Sequence, residues 1–297
     1  MRFYSLLLIT VLVCISCANP PFPEKHPQNY ELFVTQRDTY AAVSPDGAKI
    51  AYYHSSGQIP EPIDYPSGLY VIDKDGNNRN LIIRGSILDP SWSPDGQWIV
   101  FSRLGAIQKI KLNGDSLTTL ENPNSYGFFH PDWSPDGQNI YFDRADAIGD
   151  LSSIYKTDSD LNNATPILSG IGVGLRAPEI SPDGQTLIGM KASHEFEGWQ
   201  IFTVSFGEDS IEQQLTFNGD NRNPTWSKSG NEICWSKNVQ IFIMDENGSN
   251  SKFLHYGISP DWLNANTIVF SFANGDYSKE VLYTIKTDGS EINQLTF

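Results

Sequence analysis

The stretch Pro131-Asp132-Trp133-Ser134-Pro135-Asp136-Gly137 joins the end of an apolar strand to a sharp turn. Proline presets φ at the second position of a turn and glycine at the fourth accepts a positive φ, so Ser-Pro-Asp-Gly predicts a tight turn. The tetrapeptide begins at Ser44, Ser93, Ser134 and Ser181, is altered at Ser227, and is degenerate after Trp262. These six copies lie 36 to 49 residues apart, close to the ~40 to 45 residues of one four-stranded propeller blade.

Each copy belongs to the same succession of four predicted strands, A to D. Strand A ends at the turn, and in four copies its last residue is a tryptophan that we expect to pack between neighbouring blades: Trp92, Trp133, Trp226 and Trp262. Strand B, for example Ile99-Val100-Phe101, is apolar on both faces and needs cover on two sides. The sequence predicts an all-β fold, a six-bladed β-propeller of four-stranded blades over residues 30–297. We also expect residues 30–35 to form a strand that pairs with the sixth blade, either beside or in place of residues 294–297.

The repeats resemble the TolB-type, WD-like β-propeller repeats, whose hallmark is Pro-x-Trp-Ser-Pro-Asp-Gly. Residues 131–137 carry this hallmark in full, and the resemblance extends over roughly residues 30–297. It implies a propeller that binds a protein or peptide partner in the bacterial cell envelope.

The N-terminal residues have the anatomy of a secretory signal. A positive charge precedes an apolar run over residues 6–15, which is too short for a transmembrane helix of ~20 residues. Ile15-Ser16-Cys17 resembles the lipobox of bacterial lipoproteins, although Cys14 stands where that pattern usually has leucine. We therefore predict a lipoprotein signal peptide at residues 1–16, lipidation of Cys17 and a proline-rich tether at residues 17–29. An ordinary secretory signal that is cleaved nearby is the alternative.

Composition narrows the classes of partner. The chain has 35 acidic and 20 basic side chains, a formal net charge of −15 at pH 7. Such a charge repels the phosphates of nucleic acids and of anionic lipid surfaces, so neither is an expected partner. Membrane association is expected only through the lipid anchor, in an outer-membrane lipoprotein that faces the periplasm or the cell surface.

Several short motifs resemble catalytic or metal-binding sites, but turns, packing or incorrect spacing explain each of them better. The four repeated aspartates, of which Asp46 is the first, have a turn explanation, and Cys234 lies in an apolar strand as a small hydrophobic residue. Asp73-Lys74-Asp75-Gly76-Asn77 resembles the start of a calcium loop, but its glycine is at position four instead of six. The five histidines are widely separated in sequence. The sequence therefore indicates no catalytic residue, no metal site and no cofactor, and it favours a non-enzymatic role.

On one face of the predicted propeller, loops connect strand D to the next strand A and strand B to strand C. These loops vary most between repeats, so we place the binding site on this face. Residues directly before strand A are expected to approach the central axis there: Tyr40, Asp89, His130, Ala177, Asn223 and Ser259. The candidate ligand-binding residues are Asp89, Phe129, His130, Arg176, Arg222, Asn223, Trp199 and Tyr65. Arg176 and Arg222 occupy matching repeat positions and could bind a carboxylate or a peptide C-terminus, or could instead neutralise neighbouring aspartates.

These observations predict a lipid-anchored, monomeric protein of the cell envelope that uses its propeller as a scaffold for a protein or peptide. The alternative is a carbohydrate-binding or carbohydrate-cleaving propeller, similar to polysaccharide lyases or hydrolases. Acidic and aromatic loops could stack on the sugar rings of an envelope polysaccharide. Turnover of such a polysaccharide would separate the two functions.

Overall fold

The computed structural model describes residues 36–57, 64–120, 122, 127–144, 153–167, 174–193, 198–206, 210–273 and 278–297. These residues form 24 β-strands arranged in five sheets. In this described part of the chain there is no α-helix, and hence no helix long and apolar enough to cross a membrane. The all-β propeller architecture predicted from the repeats is confirmed.

Four of the sheets are blades of four antiparallel strands each. The first contains β5 (Leu88–Trp92), β6 (Trp98–Arg103), β7 (Ala106–Lys111) and β8 (Thr118–Leu120). The second contains β9 (Phe128–Trp133), β10 (Asn139–Arg144), β11 (Ser153–Asp158) and β12 (Thr165–Pro166). The third contains β13 (Leu175–Ile180), β14 (Thr186–Ser193), β15 (Gly198–Ser205) and β16 (Glu212–Gln214). The fourth contains β17 (Asn221–Trp226), β18 (Glu232–Lys237), β19 (Gln240–Asp245) and β20 (Lys252–Tyr256).

The fifth sheet has eight strands and combines the first four described strands with the last four. They are β1 (Gln36–Val43), β2 (Lys49–Ser55), β3 (Gly68–Asp73), β4 (Asn80–Arg84), β21 (Ile258–Asn264), β22 (Thr267–Ala273), β23 (Lys279–Lys286) and β24 (Asn293–Gln294). β1 pairs in parallel with β23, with Gln36 beside Lys279 and Arg37 beside Glu280.

The prediction of six four-stranded blades is therefore wrong. The structure has four four-stranded blades and one eight-stranded sheet. The physical reason is the pairing of β1 with β23, which joins two groups of strands whose edges would otherwise present unpaired backbone groups. Counting sequence repeats cannot show that two of them share a sheet.

Residues 1–35 lie outside the described residues, and they include the predicted signal peptide, Cys17, the tether and the predicted strand at residues 30–35. The lipidation of Cys17 and the pairing of residues 30–35 therefore stay predictions. The residues that follow directly, Gln36 and Arg37, lie against β23.

The Ser-Pro-Asp-Gly segments form the turns that the sequence predicts. Ser44 Oγ donates a hydrogen bond to Asp46 Oδ1 at 2.6 Å, and Gly47 N donates to Ser44 O at 2.8 Å. The hydrogen bond from Ser44 is the largest cause that lowers the pKa of Asp46. Equivalent serine hydrogen bonds lower the pKa of the three other turn aspartates, Asp95, Asp136 and Asp183. The turn interpretation of these carboxylates is confirmed.

The four repeated tryptophans in the first strands of their repeats, Trp92, Trp133, Trp226 and Trp262, are buried, as predicted. Trp92 Nε1 donates to Ala42 O at 2.9 Å, and Trp262 Nε1 donates to Thr225 O at 3.3 Å. Each of these indoles therefore reaches the first strand of the preceding repeat, β1 for Trp92 and β17 for Trp262. Cys234 is fully buried in the same apolar cluster as Trp262, and burial raises the pKa of its thiol. Its predicted role as a small hydrophobic residue is confirmed.

Candidate functional site

A cavity of about 290 Å³ lies on the central axis of the propeller. It is lined by the first strand of each repeat, and we call these six strands the inner strands: β1, β5, β9, β13, β17 and β21. All six residues that the sequence places near the axis line it: Tyr40, Asp89, His130, Ala177, Asn223 and Ser259. Three of these residues, Asp89, His130 and Asn223, are candidate ligand-binding residues. Their role in binding stays a prediction.

A β-bulge in each inner strand directs these six residues to the cavity. All six have a left-handed backbone, with φ between 48° and 55°, and five of them are followed by proline. A left-handed backbone is uncommon outside glycine, and bulges of this kind often re-aim side chains beside a functional site. The backbone therefore selects which repeat position faces the cavity, while the side chain at that position differs in every repeat.

Two residues further along three of the six inner strands, an acidic side chain connects its repeat to another one. Asp132 Oδ2 accepts a hydrogen bond from Ile180 N at 3.1 Å, and so connects β9 to β13. Glu179 Oε1 accepts a hydrogen bond from Trp226 N at 2.8 Å, and so connects β13 to β17. Both carboxylates line the cavity and satisfy backbone N–H groups of a neighbouring strand.

Asp261 makes the equivalent connection between the last inner strand and the first. Its Oδ2 accepts a hydrogen bond from Val43 N at 2.7 Å, while its Oδ1 accepts one from Trp262 N at 2.7 Å. The hydroxyl of Thr225 donates to the same Oδ1 at 3.3 Å. We call Asp132, Glu179 and Asp261 the latch carboxylates, because each of them holds the inner strand of another repeat.

Burial raises the pKa of every latch carboxylate. The pKa of Asp261 rises from 3.8 to about 6, because burial outweighs the hydrogen bonds from Val43 N and Trp262 N. Burial also raises the pKa of Asp132, and it raises that of Glu179 well above its ordinary value, with the negative charges of Asp132 and Asp261 adding to the effect. The latch carboxylates therefore bind protons at a higher pH than exposed carboxylates do.

His130 is a cation among these acidic groups. Its Nδ1 lies 2.6 Å from Asp143 Oδ1, and its Nε2 lies 3.7 Å from Asp89 Oδ2. Burial disfavours the charged ring, but the charges of the two aspartates outweigh burial and raise the pKa of His130 to about 9. Asp143 Oδ1 also accepts a hydrogen bond from Ala177 N at 3.1 Å. His130 is therefore an imidazolium at neutral pH, held between two carboxylates.

Arg176, Arg222 and Trp199 lie together next to the cavity, since each arginine directly precedes a cavity-lining residue. The guanidinium carbons of Arg176 and Arg222 are 5.2 Å and 5.8 Å from the centre of the Trp199 ring, within the range of a cation–π interaction. Arg222 Nε also donates to Asp220 Oδ2 at 2.8 Å. The structure thus brings three candidate residues together, and it shows that Arg222 neutralises a neighbouring aspartate.

The other two candidate residues do not line the cavity. Tyr65 stacks on His54 with ring centres 3.4 Å apart, and its hydroxyl donates to Asp38 Oδ1 at 3.2 Å. Tyr65 therefore belongs to a polar cluster of the eight-stranded sheet. Phe129 is half-buried beside His130, with ring centres 6.3 Å apart, and stands next to the cavity without lining it.

Sequence reasoning missed the latch carboxylates and Asp143. A signal for the latch carboxylates was present, because each of them follows a proline and precedes the large apolar residue before a turn, as in Pro131-Asp132-Trp133. No comparable pattern marks Asp143, whose partners His130 and Ala177 come from other strands.

The described residues contain no group of three histidine, cysteine, aspartate or glutamate side chains that could hold a metal ion. The carboxylates of the cavity instead accept hydrogen bonds from the backbone and pair with His130. For the whole chain, the expected lack of a metal site and of a cofactor stays a prediction.

Solved structures of low sequence identity have the same fold. A candidate TolB from Agrobacterium tumefaciens is 19% identical with a TM-score of 0.63, and the alignment covers 73% of this chain and 84% of that one. TolB from Acinetobacter baumannii is 22% identical with a TM-score of 0.65, over 86% of this chain and 62% of that one. An oligogalacturonate lyase in complex with manganese is 12% identical with a TM-score of 0.58, over 88% of this chain and 78% of that one. At these identities the likeness shows the fold alone.

No curated protein sequence matches the chain. A family model described as the TolB beta propeller domain matches residues 47–297. The match begins in the first Ser-Pro-Asp-Gly turn and includes every strand from β2 to β24.

Proposed function

Because the chain belongs to the TolB beta propeller domain family, we propose that it is a non-catalytic scaffold that binds a protein or peptide of the bacterial cell envelope. The observation that carries the proposal is the axial cavity, to which bulges in six inner strands direct six different side chains. Varied side chains on a rigid backbone scaffold are typical of binding sites.

The charged groups of the cavity are engaged by other groups of the protein, which supports binding over catalysis. The latch carboxylates accept hydrogen bonds from backbone N–H groups of neighbouring strands. His130 has a pKa of about 9, and an imidazolium is a poor general base at neutral pH. Beside the cavity, Trp199 with its two arginines supplies the residue types that contribute most to affinity at protein interfaces.

Photo-crosslinking in the native envelope tests this proposal. Phe129 is replaced by p-benzoylphenylalanine, which keeps the aromatic ring of this half-buried residue next to the cavity. We expect irradiation of intact cells to join a protein to this position. The matched control is the same replacement of Phe253, which is 48% exposed on the edge strand β20, away from the inner strands.

The proposal is supported if a protein is crosslinked through Phe129 and not through Phe253. It is wrong if neither position crosslinks a protein, or if both positions crosslink the same proteins to the same extent. Incubation of the purified protein with envelope polysaccharides supplies a further check, because the appearance of new chain ends would establish catalysis and exclude a pure scaffold.

We also propose that the protein is an outer-membrane lipoprotein anchored through Cys17, since residues 15–17 resemble a lipobox. Cys17→Ser removes the thiol that would be acylated and is expected to release the protein from the membrane fraction and to change its apparent mass. Several acyl chains give stable anchoring, so the loss should be nearly complete. Cys234→Ser is the control, because that cysteine is buried in the propeller. Unchanged fractionation and mass of Cys17→Ser would show that Cys17 carries no anchor.

A further inference from the structure

Neutral polar side chains occupy one arc of the axial cavity, on three consecutive inner strands. Asn223 of β17, Ser259 of β21 and Tyr40 of β1 line the cavity, and β-bulges direct all three to it. β21 is hydrogen-bonded to β17 through Trp262 and to β1 through Asp261, so the three strands are neighbours around the axis. We call Asn223, Ser259 and Tyr40 the neutral arc.

Within the part of the chain that the structure describes, the side chains of the neutral arc make no hydrogen bond. Ser259 is nevertheless only 6% exposed, and Tyr40 and Asn223 are half-buried. Two other hydroxyl groups of the cavity, those of Ser91 and Thr225, donate to latch carboxylates at 2.9 Å and 3.2 Å. A buried polar group without a partner is unfavourable, so the neutral arc indicates a ligand that supplies the hydrogen bonds.

The charged side chains of the cavity are already engaged within the protein. Asp89 Oδ2 lies 3.7 Å from His130 Nε2, and His130 Nδ1 lies 2.6 Å from Asp143 Oδ1. The latch carboxylates accept hydrogen bonds from backbone N–H groups. Ala177, at the remaining axial position, carries only a methyl group. We therefore expect the polar group of a ligand to lie against the neutral arc.

The neutral arc suits a ligand group that both donates and accepts hydrogen bonds. The Asn223 carboxamide has two N–H donors and one acceptor oxygen, and the hydroxyl groups of Ser259 and Tyr40 each donate and accept. Burial and the negative charge of Asp89 raise the pKa of Tyr40 to about 12. The Tyr40 hydroxyl therefore stays protonated at neutral pH and can donate.

Charged ligand groups would satisfy the neutral arc less well. A carboxylate only accepts hydrogen bonds, and in this cavity it would be repelled by Asp89 and the latch carboxylates. An ammonium or a guanidinium group only donates, so it would leave the N–H donors of Asn223 without an acceptor. A carboxamide can instead pair with Asn223 through two hydrogen bonds at once, and a single hydroxyl group cannot form this double pairing as well, because it has only one donor.

We propose that Asn223, Ser259 and Tyr40 bind a carboxamide group, which the partner protein or peptide inserts into the axial cavity as an asparagine or glutamine side chain. This inference rests on the proposed function and specifies the chemistry of its ligand. The cavity volume of about 290 Å³ is sufficient for one such side chain. Asparagine and glutamine present the same group on stems of different length, and the experiment below distinguishes these two sources.

The test measures the binding of five pools of heptapeptides to the full chain in detergent, by ultrafiltration and mass spectrometry. Every peptide has an N-terminal acetyl group, a C-terminal dimethylamide without N–H donors, and random glycine, alanine or valine at all positions except the central one. The central residue is glutamine, asparagine, glutamate, lysine or serine. We expect the glutamine or the asparagine pool to bind at least about tenfold more tightly than the other three, because those leave buried hydrogen-bonding groups unsatisfied.

Variants connect that preference to the neutral arc. Asn223→Ala, Ser259→Ala and Tyr40→Phe are each expected to reduce the preference for the carboxamide pools by about tenfold. Ala177 has the same left-handed backbone as Asn223 and Ser259, so alanine fits these positions. Asn250→Ala is the matched control, because Asn250 is also left-handed, with φ of 55°, but is exposed outside the cavity. Circular dichroism and thermal unfolding establish that each variant is folded.

The outcomes separate this inference from the proposed function. Preference for the glutamine or the asparagine pool alone identifies the side chain, and equal preference for both shows that the carboxamide is recognised on either stem. Preference for the glutamate, lysine or serine pool, equal binding of all pools, or binding of none overturns the carboxamide site. So does a carboxamide preference that survives Asn223→Ala in a folded protein. The scaffold function is decided independently, by protein crosslinking through Phe129.

Discussion

Replacing Asp261 by alanine is expected to lower the free energy of unfolding by about 2 to 4 kcal/mol at pH 5. The Asp261 carboxylate accepts hydrogen bonds from Val43 N and Trp262 N, both at 2.7 Å, and alanine would leave both N–H groups without this acceptor. Val43 lies in the first inner strand and Trp262 in the last, so the loss falls at the junction that closes the ring. Denaturant unfolding followed by tryptophan fluorescence measures the change.

Two further variants define the origin of that loss. Asp261→Asn keeps one acceptor oxygen and is expected to be destabilised less than Asp261→Ala. Glu246→Ala removes an exposed carboxylate and is expected to change stability by no more than about 0.5 kcal/mol. If Asp261→Ala is as stable as Glu246→Ala, the latch carboxylate at this junction contributes nothing to stability.

The thermal midpoint is expected to fall as the pH rises from about 4.5 to about 9. Asp261 has a pKa of about 6 in the folded protein against an ordinary value of 3.8, so the folded state binds this proton more tightly than the unfolded state. The stabilisation by this proton is complete below pH 3.8 and is lost as the pH rises through 6, a change of about 3 kcal/mol by linkage. The pKa of Asp132 is raised too, so its effect has the same sign.

His130 continues the trend at higher pH. Its pKa is about 9 in the folded protein against an ordinary 6.5, so its stabilisation is complete below pH 6.5 and is lost as the pH rises through 9. The turn aspartates, such as Asp46, act in the opposite direction: their pKa is lowered, so their stabilisation is present above pH 3.8 and is lost below it. Stability should therefore be greatest at about pH 4 to 5.

Differential scanning calorimetry over this pH range checks the expectation. Asp261→Asn has no titrating group at this position, and it should lose less stability than the wild type as the pH rises from about 4.5 to about 7. A thermal midpoint that is highest at about pH 7 to 8, or identical pH profiles for the two proteins, would show that the buried carboxylates do not govern the stability.

Local features of this fold could be predicted from the sequence. The Ser-Pro-Asp-Gly turns depend on residues within four positions of one another, and Ser44 and Asp46 make the expected contact. The burial of the tryptophan before the turn could be predicted because a large apolar ring recurs at that repeat position. The six residues near the axis could be located for the same reason, since repeat position and distance from the axis are linked in a propeller.

Contacts between repeats could not be predicted in the same way. The pairing of β1 with β23 brings together residues more than 240 positions apart, and no local pattern encodes it. The partner of Asp132 is the backbone N–H of Ile180, a group that every non-proline residue carries and that sequence therefore cannot single out. For Arg222 the sequence left two roles open, and the structure shows one of them, the ion pair with Asp220.

The bulges give the six cavity-lining positions one backbone conformation, while the side chains at these positions differ. A phenol, a carboxyl, an imidazole, a methyl, an amide and a hydroxyl group occupy the same left-handed backbone, in Tyr40, Asp89, His130, Ala177, Asn223 and Ser259. Because one backbone conformation accommodates six such different groups, the cavity presents varied chemistry without any change in the strand conformation that carries it.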